Sequence, residues 1–216
     1  MREENIKKLV AYHEAGHTLT ALLFNEFFDI RKVTINANNN GAGGYTLFTP
    51  KERYGNFPTK KFMLANMIVA LGGRAAEVLL YKRENTTQKN YNDESLFPNI
   101  QDLYVTTGAS NDLKQANNIA KKYVSIFGLG ESVGLYDSGD TAQPFLGREL
   151  STSSNKISDQ TRNKIDDEVE GLVKKSFELA VKILEKNEES LHKVSEMLLN
   201  SKSIDGKYLE TIDVKF

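Results

Sequence analysis

Two of the chain's three histidines, His13 and His17, stand four residues apart in "LVAYHEAGHTLTALLF", with Glu14 directly after the first. On an α-helix, positions i and i+4 share a face one turn apart, so both imidazoles reach toward a single ion. Zinc takes imidazole nitrogen at about 2.0–2.1 Å and, in catalytic sites, keeps a position for water beyond three protein ligands. Glu14 is placed to take a proton from that water and return it to the leaving amine. A lone histidine reads best as a polar member of a helix face, but His-Glu-x-x-His carries a mechanism and points to a metal centre. Gly16 is expected to leave the surface beside the ion uncrowded.

A third ligand is needed, and the residues leave two carboxylates open. Glu77 lies in a long apolar segment with the helix-borne geometry used by many His-Glu-x-x-His peptidases. Asp112 opens a helix in the run "TTGASNDL". A carboxylate in a first helical turn also serves as a dipole or capping partner, which would explain Asp112 without a metal. His192, beside Leu191 and Val194, reads as a surface or core-edge residue.

The elements that must position these groups are mostly helical. Residues 3–24 have helical apolar spacing and no proline. "KVTINA", Lys32 to Ala37, and "YTLFT", Tyr45 to Thr49, read as two strands of a hairpin around the turn "NNNGAGG". A mostly buried helix follows from Thr59 to Tyr81, with Gly72-Gly73 admitting a close neighbour. The polar stretch from Lys82 to Asp102 reads as a long surface loop. A helix starts near Ser110 or Asn111 as cap and stops at Gly128; 129–156 is irregular. Ser158 caps a helix over Asp159–Lys186, and another covers Glu188–Asn200.

Composition narrows the chemistry. The 216 residues suffice for one sizeable core, and a formal charge of -1 gives no reason to expect nucleic acid as a partner. With no cysteine, any metal rests on nitrogen and oxygen ligands, and no thiolate nucleophile exists. No run approaches about 18 consecutive apolar residues, so the chain reads as soluble.

"VAYHEAGHTLTALL", "GGYTLFTP", "LGGRAAEVLL", "TTGASNDLKQANNIAKKYV" and "SDQTRNKIDDEVEGLV" follow one another in an order that resembles the peptidase domain of FtsH-type AAA+ zinc metalloproteases, from about Lys8 to Ile212. The resemblance implies a mainly α zinc-peptidase domain with a small β-hairpin or sheet beside the active-site helix. It implies a zinc metalloendopeptidase with Zn²⁺ held by His13, His17 and Asp112, Glu14 as general base, and "GGYTLF" as a strand flanking the cleft. An extended polypeptide substrate would add to that strand, with Gly43, Gly44, Tyr45 and Thr46 as contacts. The competing reading is that Tyr45 and Leu47 pack the hairpin on the first helix.

Family members carry a membrane anchor and an ATPase module. No G-x-x-x-x-G-K-[ST] loop occurs here, so ATP would act only through a module outside this chain. The resemblance thus implies the peptidase part of a longer, membrane-anchored bacterial or organellar protein that degrades unfolded or membrane proteins as a hexamer, the membrane being reached only through regions outside this chain. Residues 82–104 are longer than the usual link and read as an insertion; 157–212 form a C-terminal helical part. The alternative is a catalytically silent peptidase-like module serving hexamer assembly, against which the intact Glu14 argues.

Overall fold

The computed structural model describes residues 3–36, 43–87, 106–134 and 158–216. The sequence "EENIKKLVAYHEAGHTLTALL" forms α1 (Glu3–Leu23), and from Ala11 to Leu22 it is buried on nearly every side. The chain then turns through Phe27 into β1 (Phe28–Thr34), which pairs antiparallel with β2 (Tyr45–Pro50). A short α2 (Glu52–Asn56) leads into α3 (Lys60–Thr87). After residues 88–105 come α4 (Ser110–Lys121), prolonged by one π-helical turn over Lys122–Ile126, and then α5 (Asp159–Lys186). The chain closes with α6 (Glu188–Ser201), β3 (Ser203–Asp205) and α7 (Gly206–Leu209).

The architecture is mainly α with a small antiparallel sheet, as the residues and the resemblance imply. Its details depart from expectation in three places. The first strand starts four residues earlier than Lys32 and ends at Thr34. Burial of Phe28, Ile30 and Val33 sets its inner face, and the alternation is interrupted by a bulge between Ile30 and Lys32. The sheet also gains β3 on the far side of β1, giving the order β2-β1-β3. Three residues among helices leave no periodic signal, so pairing with β1 alone makes that strand. Finally, α3 runs six residues past Tyr81, through the start of the stretch read as loop. The rest of the expected insertion, and the irregular stretch beyond Gly134, lie outside the described residues.

Helix α3 is the centre of the molecule. By length and composition Lys60–Arg83 could cross a membrane, yet 72% of its apolar window is buried inside this chain. It packs against α1, α4 and α5, so its all-round apolarity is that of a core helix. At the crossing with α1, two glycines face each other. A Cβ on Gly16 would lie 2.3 Å from the Gly72 carbonyl oxygen, and one on Gly72 would lie 2.8 Å from that of Gly16. Gly16 therefore serves helix packing rather than leaving room beside an ion, a correction to the sequence reading.

The long C-terminal helix starts where expected. Ser158 Oγ accepts the amide N–H of Thr161, capping α5. Glu168 on α5 then holds the 130–132 turn, its carboxylate accepting the amides of Glu131 and Ser132 and the Ser132 hydroxyl. Glycine contacts make these packing claims testable. Gly16→Ala is expected to destabilise the chain by about 1–3 kcal/mol through forced separation of the helices. Gly171→Ala, on α5 with nothing within 4 Å, is expected to stabilise it slightly, by about 0.5–1 kcal/mol. Urea unfolding of both variants decides between close packing and a generic glycine effect.

Candidate metal centre

The helix α1 presents His13 and His17 on the face turned toward α3 and α4. Their Nε2 atoms lie 3.1 Å apart. Asp112, in the first turn of α4, directs Oδ2 to within 3.1 Å of His13 Nε2 and 3.4 Å of His17 Nε2. Ser110 and Asn111 do not cap that helix; Ala109 occupies the capping position without a side-chain bond, and Asp112 turns to the histidines instead of to its own helix. Among the described residues these three side chains form the cluster suited to a metal ion.

The spacing fits a tetrahedral ion. Two ligands at about 2.0–2.1 Å that subtend a tetrahedral angle lie about 3.3–3.4 Å apart, close to all three separations here. The ring tautomers fit as well. His17 Nδ1 is 2.8 Å from the Val69 carbonyl oxygen, which only accepts, so Nδ1 carries the proton and Nε2 its lone pair in the neutral ring. His13 Nδ1 is likewise 2.8 Å from Glu77 Oε1. Gly73 leaves the space open: a Cβ there would stand 2.5 Å from His13 Nε2 and 2.6 Å from His17 Nε2.

Glu77, one of the two third-ligand candidates, is thus placed behind His13 rather than beside Asp112. Its buried carboxylate is fastened at the other oxygen by Thr106, whose amide and hydroxyl donate to Oε2 at 3.3 Å and 3.2 Å. Arg74, one turn before Glu77, donates to the Thr106 carbonyl at 2.8 Å and so ties the segment leading to Asp112 onto α3. This outer arrangement was not legible as such. "GGRAAE" and "TTGASND" marked the segments, but nothing in one dimension pairs Arg74 with Thr106. His192 is not in the cluster; its Nδ1 is hydrogen-bonded with the Tyr12 hydroxyl between α1 and α6, in keeping with a core-edge position.

Charge accumulates at the cluster in the metal-free chain. Burial alone would lower the pKa of His13, but hydrogen bonds to Asp112 and Glu77, with the charge of Glu14, push it up to about 10. Burial would raise that of Asp112, yet the two histidines hold it far below the usual carboxylate range. These shifts are one interaction seen from its two partners.

A cleft of about 460 Å³ opens over the cluster, lined among others by Glu14, Gly44, Tyr45, Thr46 and Asn111. Along β2, Tyr45 and Leu47 are exposed, whereas Thr46 and Phe48 turn inward. The alternation assigns the packing against α1 to Thr46, not to Tyr45 or Leu47. Gly43 and Gly44 press on Val10, and Gly44 also on Glu14. A larger, mostly apolar cavity of about 690 Å³ between α3, α4 and α5 contains none of the three clustered side chains.

The protein-family model that matches is Peptidase family M41, over residues 1–212. The chain belongs to peptidase family M41. It is 34% identical over 207 residues, 94% of this chain, to the ATP-dependent zinc metalloprotease FTSH 1, chloroplastic, of Oryza sativa, and covers 27% of that relative. Its identity is 34% as well to the ATP-dependent zinc metalloprotease FtsH of Bacillus subtilis, over 94% of this chain and 29% of the relative. For FtsH of Mycoplasmopsis pulmonis it is 34%, over 95% and 25% respectively. The chain therefore spans between a quarter and a third of the length of these relatives and is an FtsH-type peptidase domain.

Two outcomes are expected if this cluster holds zinc. Gly73→Ala reduces bound zinc from about one ion per chain to almost none, read by atomic emission after dialysis, while circular dichroism retains the helical signal. In the metal-free chain, the raised His13 pKa contributes stability that is complete below about pH 6.5 and is lost as pH rises through about 10. The lowered Asp112 pKa contributes stability that is lost on acidification. Unfolding followed from pH 3 to pH 10 is expected to show a dome, and loading with zinc to remove its alkaline slope.

Proposed function

We propose that this chain is the catalytic part of a zinc-dependent endopeptidase in which His13, His17 and Asp112 hold the ion and Glu14 is the general base. The observation that carries this reading is the near-tetrahedral spacing of the three ligand atoms beside a buried carboxylate, open to a cleft. Zinc bound there supplies an acidified water and a Lewis acid for the scissile carbonyl. The relatives' names, zinc metalloproteases, support the metal and the reaction class.

The chain's own residues account for the remaining demands. Glu77 and the Val69 carbonyl fix the two ring orientations, so both Nε2 atoms point to one place, and an ion there would displace the proton that His13 holds in the metal-free chain. Glu14 follows His13 on the same helix, where its carboxylate accepts the proton of the attacking water and delivers it to the leaving amine. Among the described residues β2 is an edge strand, with β1 on one side only. Its outer edge receives an extended polypeptide through main-chain hydrogen bonds, near Gly43, Gly44 and Tyr45, with little regard for side chains. Unfolded polypeptide is the substrate class that arrangement favours. An assembly module without catalysis has no need of a base carboxylate so placed.

In the longer protein, this domain would work with an ATPase module in a membrane-anchored hexamer that feeds it unfolded or membrane-extracted chains. The relatives' description as ATP-dependent supports that setting. The test is cleavage of casein by this chain and by Glu14→Gln, with zinc measured on both. Wild type is expected to cut, the variant to lose about 10²–10⁴-fold in rate, and both to hold about one zinc. A chelator stops the wild type, and added zinc restores it. Equal cutting by both proteins removes Glu14 from the mechanism.

A further inference from the structure

Of the two β2 residues expected to meet substrate, Tyr45 and Thr46, the second turns inward. Thr46 faces α1, its Oγ1 lying 2.7 Å from Glu14 Oε2 and 3.2 Å from the Glu14 carbonyl oxygen. A hydroxyl carries one proton, and the shorter, charge-assisted contact to the carboxylate claims it. Glu14 is only 5% exposed, and its Oε1 has no hydrogen-bond partner among the described residues. One oxygen of the base is therefore held and the other left available.

The contact depends on how closely the strand approaches the helix. A Cβ on Gly44 would lie 2.7 Å from the Thr34 carbonyl oxygen, 2.9 Å from Val10 Cγ1 and 3.1 Å from Glu14 Cγ. Only a residue without a side chain brings β2 near enough for Thr46 to reach Glu14. A glutamate on a helix has three rotatable bonds, and one donor from a neighbouring strand selects among its rotamers.

We propose that Thr46 is a positioning residue for Glu14: its hydroxyl anchors one carboxylate oxygen and leaves the other to take the water's proton. The strand that receives the polypeptide is then also the strand that aims the base. Docking of substrate along β2 and alignment of Glu14 share one element. This inference rests on the peptidase reading above.

The experiment compares zinc-loaded wild type, Thr46→Val and Thr46→Ser on a quenched-fluorescent unstructured peptide. Val keeps the shape and removes the donor; Ser keeps the donor. Thr46→Val is expected to lower kcat about ten-fold or more, with zinc content retained. Its KM is expected to stay within about two-fold, and Thr46→Ser to restore kcat to within about two-fold of wild type. Unchanged kcat in Thr46→Val overturns the proposal. So does a raised KM with kcat intact, which would make Thr46 a substrate contact instead.

A second readout does not require turnover. In chains labelled with ¹³C at glutamate carboxyls, the Glu14 resonance is assigned by its disappearance in Glu14→Gln. It is expected to move in Thr46→Val and to hold in Thr46→Ser. A resonance indifferent to Thr46→Val overturns the proposal even where the wild type fails to cut, a failure that would count against the peptidase reading alone.

Discussion

The contact between α1 and α3 governs the rest of the molecule. At Gly16 and Gly72 the two backbones meet with no side chain between them. One residue further along α3, Gly73 lies against both imidazoles, and one turn further Glu77 reaches the back of His13. The same approach brings the Val69 carbonyl to His17. A wider crossing would separate both rings from the groups that orient them. Helix packing, a matter of missing methyl groups, thereby sets the geometry of the metal centre.

Around that crossing the chain concentrates charge where charge is costly. Glu14 and Glu77 are buried, and His13 and Asp112 are nearly so. Each is partnered: Glu77 by His13 and Thr106, Glu14 by Thr46, Asp112 by the two histidines. Partnering offsets desolvation, but it also leaves a compact negative cluster in the metal-free chain. A divalent cation would answer that cluster. The energetic logic of the fold and the chemistry of an M41 peptidase point the same way.

Much of this was legible in one dimension. His13, Glu14 and His17 are local, and helical periodicity alone brings them to one face. Ser158 and Gly128 mark a helix start and stop through backbone chemistry that needs no tertiary context. Conversely, β3 is three residues long and exists because β1 offers it an edge. The first strand starts earlier than its spacing suggests because a bulge between Ile30 and Lys32 breaks the alternation that would link the inward Phe28 and Ile30 to Val33. Gly16 was assigned to the wrong neighbour because a sequence does not say which helix crosses there.

What the sequence determined by itself is therefore the set of local facts. These are helix faces, caps, the His-Glu-x-x-His pair and, through five motifs in order, membership of a peptidase family. Residue spacing left two carboxylates of equal local merit and the family resemblance favoured Asp112; the tertiary structure shows Asp112 at the Nε2 atoms and Glu77 at Nδ1 of His13. It alone joined Arg74 to Thr106 and Thr46 to Glu14, each across roughly thirty residues of chain. The reason is physical. Periodicity encodes which face a residue occupies on its own element, whereas the partner it meets depends on how closely two elements approach, and here that distance is set by glycines on opposite helices.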